Sequence, residues 1–153
     1  MNKKKMLTML MLSLVTLVGC VKTLPVTGGK YAGSDAAEIV VIRQIGGSQC
    51  QAYTKVDGEV VCMLPEWGNW TKFTLKPGLH KFEAFCHERK AKWEPKSFNI
   101  EPGAIYYFQI HQRMAEFHKP TMRISEITEI EANDLLSQKD KYEYVQANGT
   151  QGS

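Results

Sequence analysis

The residues of this sequence equipped for chemistry or binding are four cysteines, four histidines and three tryptophans, and their spacing narrows the options. His80, His87, His111 and His118 stand apart, and Cys86-His87-Glu88 sets metal-ligating types side by side. Neighbours on a strand point to opposite faces, and no HxH, HExxH or CxxC spacing accompanies that run. No metal site and no cofactor is expected. No GxSxG surrounds a serine, no cysteine has a hydrolase-like context, and no glycine-rich phosphate loop precedes a helix. No catalytic residue is assigned, and the chain is not expected to be an enzyme.

The tryptophans offer binding instead. Trp67 and Trp70 flank Gly68-Asn69, a turn that could present two flat apolar faces to a sugar or a protein partner. The competing use is to plug the end of a β fold. Trp93 sits among Arg89, Lys90, Lys92 and Lys96. Such a loop could meet anionic headgroups, at about 1 kcal/mol per charge near the surface, or simply be solvated.

Cys20 has the clearest context. Lys3, Lys4 and Lys5 precede an uncharged apolar run, Met6 to Gly19, that ends in Leu17-Val18-Gly19-Cys20. As a helix the run reaches roughly 21 Å, short of a ~30 Å hydrocarbon core. Residues 1–19 therefore read as a signal peptide. The ending resembles the bacterial lipobox, whose cysteine is acylated and becomes the membrane anchor. Val21 in place of an Asp implies the periplasmic face of the outer membrane. Residues 20–36 read as a flexible tether rich in Gly, Thr, Ser and Pro. Leu24-Pro25-Val26-Thr27-Gly28 copies the sortase signal but lacks the apolar and basic C-terminal context that signal needs. Removing the three lysines takes the net charge from +3 to near neutrality, which gives no electrostatic case for nucleic acid.

These residues must be positioned by short strands. With 43% hydrophobic residues in 153, the chain can bury one core. Residues 38–44 are apolar on both faces and suit a strand covered on both sides. Further runs at 51–56, 59–63, 71–75, 80–86, 97–100, 104–111 and 122–127 alternate or are β-branched. Asp57-Gly58, Lys76-Pro77-Gly78 and Glu101-Pro102-Gly103 are the turns between them. Seven or eight such strands predict an all-β sandwich over residues 37–140, with a small closed barrel as the alternative. A short amphipathic helix fits 131–138, and residues 141–153 read as a disordered tail. A two-residue turn at Asp57-Gly58 sets Cys62 opposite Tyr53 and sends Cys50 and Cys62 to opposite faces.

The run Val56-Asp57-Gly58 with Val61 and Leu64, then Lys76-Pro77-Gly78-Leu79-His80, then Glu101-Pro102-Gly103-Ala104-Ile105-Tyr106-Tyr107, resembles an uncharacterised bacterial family of small envelope lipoproteins. Its pattern is related to PEGA-type and transthyretin-like β-sandwiches, and the likeness spans residues 37–138. The resemblance implies an immunoglobulin- or transthyretin-like sandwich, a lipid-anchored non-enzymatic module, and no catalytic residue. Cys62 and the Trp-bearing loop depart from the pattern. In sandwiches of this type the 80–86 strand runs antiparallel to the 51–56 strand. That arrangement places Cys86 beside Cys50 and implies a Cys50–Cys86 disulfide, with Cys62 buried and unbridged; three reduced thiols are the alternative. The expected role is a non-catalytic accessory protein of the envelope that contacts another protein. The alternative is a binder of glycans or small ligands, or an inhibitor of a wall-degrading enzyme.

Overall fold

A computed structural model describes residues 24–46, 50–86, 95–113 and 121–149. Among them, β1 (Ala37–Arg43), β4 (Asn69–Leu75), β7 (Ile105–Arg113), β8 (Thr121–Ile127) and the two-residue β9 (Glu143–Tyr144) form one sheet. Its order is β8-β7-β1-β4-β9. The second sheet holds β2 (Ala52–Val56), β3 (Glu59–Leu64), β5 (Gly78–Cys86) and β6 (Lys96–Ile100), in the order β3-β2-β5-β6. The all-β sandwich is thus the observed architecture. The Asp57-Gly58 turn has φ of 52° and 90°, the left-handed pair that a tight β2–β3 hairpin requires.

β1 carries the two-sided burial read from its sequence. Ile39 and Val41 face the inter-sheet core, where Phe73, Leu75, Phe108 and Ile110 meet Ala52, Leu64, Phe82 and Ile100. An aromatic cluster fills one part of this core, with ring centroids 4.8 Å apart for both Phe82–Phe108 and Phe98–Phe108. Val40 and Ile42 face the other way, into a second core with Ala132, Tyr142, Trp70, Tyr107 and Leu135. Its cover is helix α1 (Glu129–Ser137), which starts two residues before the expected helix. Thr128 and Glu131 fix that start as a capping box. The Thr128 N–H donates to Glu131 Oε2 at 2.8 Å, and the Glu131 N–H donates to Thr128 Oγ1 at 3.3 Å.

Two segments read as flexible are laid onto the body. From the expected tether, Thr27 N–H donates to the Val60 carbonyl at 2.9 Å, and Thr74 N–H donates to Gly29 at 3.0 Å. Tyr31 and Thr74 also exchange two bonds, at 2.9 Å and 2.8 Å. Residues 24–31 thereby strap β3 of one sheet to β4 of the other. From the expected tail, Glu143 N–H donates to Gly68, Val145 N–H to Trp70, and Met63 N–H to the Ala147 carbonyl. Residues 143–147 bridge the same pair of strands. Both segments satisfy strand edges through their backbone, which composition does not show, and the tail adds buried side chains besides.

Tyr142 and Val145 are buried, one in each core. Ending the chain at Lys141 should therefore cost about 3–5 kcal/mol of stability. Urea unfolding measures this, and an unchanged midpoint would show that residues 142–153 contribute nothing.

Candidate functional site

The three described cysteines lie together on the inner face of the four-stranded sheet, contrary to the face assignment from the hairpin. Strand pairing runs in rows, with Cys62 beside Thr54 and Ala84, and Leu64 beside Ala52 and Cys86. A bulge between Thr54 and Lys55 shifts the β2–β3 register by one residue. Cys62 therefore faces Thr54 rather than Tyr53, and Cys50, Cys62 and Cys86 all join one core. Their sulfurs are thiols, so the expected Cys50–Cys86 bridge is not closed here. The antiparallel β2–β5 pairing that motivates it is present, but Ala52 is the residue directly opposite Cys86. Cys50 is one row further along. Cys50 precedes β2, so the ladder itself does not seat it across from Cys86. Burial pushes the Cys62 thiol up to about 12, although the Thr54 side chain and backbone pull the other way.

Arg43 closes this end of the sandwich. It is 3% exposed, and its Nη1 donates to the Leu64 carbonyl at 3.0 Å and the Pro65 carbonyl at 3.2 Å. Burial lowers its pKa, while Cys50, Cys86 and Glu66 act against that shift. The sequence signal for Arg43 was available: alternation along β1 puts it on the face of Ile39 and Val41.

Trp67 and Trp70 divide between the turn and the second core. β4 begins at Asn69, two residues earlier than expected, so Trp70 is a strand residue. Trp70 is half-buried in the second core, with its ring 4.9 Å from Tyr144 in an edge-on contact. Trp67 stays in the turn, 37% exposed. The turn is clamped to the body. Gly68 N–H donates to Arg43, its carbonyl accepts from Glu143, and Asn69 Oδ1 accepts from Glu66 N–H at 2.7 Å. Gly68, at φ 74°, lies so close to the Lys141 carbonyl that a Cβ has no room. Trp93 and Cys20 lie outside the described residues, as do His87, His118, Arg89, Lys90 and Lys92.

His80 and His111 each engage both ring nitrogens. His80 Nδ1 meets Asp57 Oδ2 at 2.6 Å, and its Nε2 meets the Lys76 carbonyl at 2.7 Å. Asp57 Oδ1 also accepts from Lys81 N–H at 2.8 Å, so one carboxylate ties the β2–β3 turn to β5. Burial alone would raise the Asp57 carboxyl, but the Lys81 N–H and the His80 ring outweigh it and hold it below its usual value. His111 lies between Gln44 Oε1 at 2.7 Å and Ser125 Oγ at 2.9 Å. Nothing in the sequence announces that trio, since its members come from β8, from β7 and from the residue after β1. No group of three or more His, Cys, Asp or Glu residues able to hold a metal ion occurs among the described residues. No protein-family model matches the chain, and no curated protein is similar enough to it to carry an inference.

Two outcomes follow from these environments. In reduced native protein at pH 8, iodoacetamide should leave Cys62 unmodified, and label it only after denaturation; mass mapping of native labelling at Cys62 would contradict its placement. Asp57→Asn keeps a residue that tolerates positive φ, removes the charge and replaces one acceptor oxygen by a donor. A depressed carboxyl stabilises the fold above its unfolded pKa and loses that effect as pH falls through the folded value. The variant should thus be weaker by less than about 1 kcal/mol at pH 6, given the solvent screening. The difference should begin to shrink below about pH 4 and vanish once the pH is below the folded value. A gap that persists in acid would assign the effect to the turn rather than the charge.

Proposed function

We propose that this chain is a bacterial envelope lipoprotein that acts by binding or by structure rather than by catalysis. In this reading residues 1–19 are removed and Cys20 carries the acyl chains. The sandwich is then held at the periplasmic face of the outer membrane. The observation that carries the reading is the segment from Lys3 to Cys20, a basic start, a short apolar run and a lipobox-like end. The strap adds a physical consequence. With residues 24–31 bound along the body, Val21, Lys22 and Thr23 alone separate Cys20 from Leu24. That link spans about 14 Å when extended, against about 60 Å for a free tether running to Ala37. The domain would ride against the bilayer instead of reaching across the periplasm.

A binding role agrees with how the reactive groups are held. His80 and His111 commit both ring nitrogens to neighbours, and Cys62 is sealed in the core. The resemblance to small PEGA-like envelope lipoproteins points to the same class, as a fold-level analogy. Binding of a glycan or small ligand is the second reading, and the polar cavity beside His111 favours it. The clamped Trp67 turn gives no comparable support to insertion into an enzyme's cleft. Cys20→Ala should move the protein from the carbonate-washed membrane pellet to the soluble fraction and abolish palmitate labelling. Continued sedimentation of the folded variant would sink the anchor.

A further inference from the structure

A cavity of about 440 Å³ opens where the end of β7 meets β8 and the start of β6, lined by Gln44, Lys96, His111, Gln112, Arg123 and Ser125. Every one of these side chains is polar, so an apolar ligand would gain little from entering. Two are cations from different sheets, and no carboxylate is among the described lining residues. Neither Lys96 nor Arg123 has an ion-pair partner among the described residues. Two like charges facing one cavity repel each other unless an anion lies between them. The Arg guanidinium fork matches carboxylate and phosphate oxygens two at a time, and Lys adds a mobile point charge.

The His111 trio completes the wall with neutral hydrogen-bonding groups. The Gln44 Oε1 only accepts, so His111 Nδ1–H donates to it, and Nε2 is left to accept from the Ser125 hydroxyl. Burial, and then the Lys96 charge, lower the His111 pKa, which favours this neutral tautomer at neutral pH. With its oxygen so engaged, the Gln44 amide nitrogen has no internal acceptor among the described residues and can donate to a ligand. The cavity therefore offers two cations and an amide donor, with a volume in the ~300–1,000 Å³ range of small-molecule sites.

We propose that this cavity binds a sugar-sized oxyanion, a sugar phosphate or a sugar acid, through Lys96 and Arg123, with Gln44 oriented by His111 as a further donor. The proposal rests on the reading of the chain as a binding module and is independent of its lipid anchor. The test is an NMR titration of the full-length protein in detergent with glucose 1-phosphate, galacturonate and, as a neutral control, glucose. Saturable shifts at Gln44, Lys96, His111 and Ser125 are expected with at least one anion and not with glucose. A response to the phosphate alone, or to the carboxylate alone, names the ligand chemistry; a response to both makes the oxyanion itself the determinant.

Binding should weaken at least tenfold in Lys96→Gln, in Arg123→Gln, and between 0.05 and 0.5 M salt. Both side chains are exposed, so retained amide dispersion distinguishes lost binding from lost fold. No saturable shift with either anion overturns the proposal, as does an equal response to glucose or undiminished binding in the double variant. Failure here with Cys20→Ala still released from membranes removes the site and leaves the envelope reading standing. The converse pair of results removes the anchor alone.

Discussion

Burial of β1 on both of its faces is the constraint on which the rest of the molecule depends. Ile39 and Val41 need one apolar cover and Val40 and Ile42 another, so a two-layer sandwich alone would leave half of the strand wet. The second cover is assembled from α1, Tyr142, and the outward side chains of β4, β7 and β8. Both ladder edges of β1 are also taken, by antiparallel β4 and parallel β7. Parallel pairing requires a long crossover between the partners, and here it passes through the whole of the second sheet. One strand thus dictates the third layer and much of the connectivity.

The two sheets are locked at one end by a charge. Arg43 starts in the five-stranded sheet and delivers its guanidinium to main-chain carbonyls at the end of β3 in the other. Taking a cation out of water is costly, and the carbonyl dipoles offset part of that cost. The main-chain carbonyl of the same residue holds Gly68, so the position of the Trp67 turn also depends on Arg43. The molecule uses its charges in two ways. Arg43 is enclosed and committed internally, whereas Lys96 and Arg123 are exposed around a polar cavity.

Much of this architecture was legible from residue patterns, and the failures have identifiable causes. The double-sided run at β1, the Asp57-Gly58 turn and the alternation of Phe82, Ala84 and Cys86 each describe a local backbone preference that tertiary structure kept. Thr128 and Glu131 carried a capping-box signal three residues apart that would have placed the start of α1 correctly. The bulge at Thr54 could not be read, because a one-residue register change leaves no mark in composition while reversing which face Cys62 occupies. The strap and the tail were misread for a related reason. Thr27, Gly29 and Ala147 contribute backbone groups to strand edges, and backbone bonding is blind to side-chain type. The His111 trio depends on three separated segments converging, which only the sheet order reveals.

Both ends of the described chain close the same seam between β3 and β4. Residues 24–31 and residues 143–147 both cross it, so the joint is made of contacts tens of positions apart in sequence, such as Thr27 with Val60 and Met63 with Ala147. Contacts of such high order form late, because their loop-closure entropy is not recovered until the intervening chain is in place. A chain emerging N-terminus first, from a ribosome or through a translocation pore, could pair its hairpins early. It could not seal this seam until Ala147 was out. Closure of this joint therefore requires residues 24–31 and residues 143–147 to be present together on one side of any barrier the chain crosses.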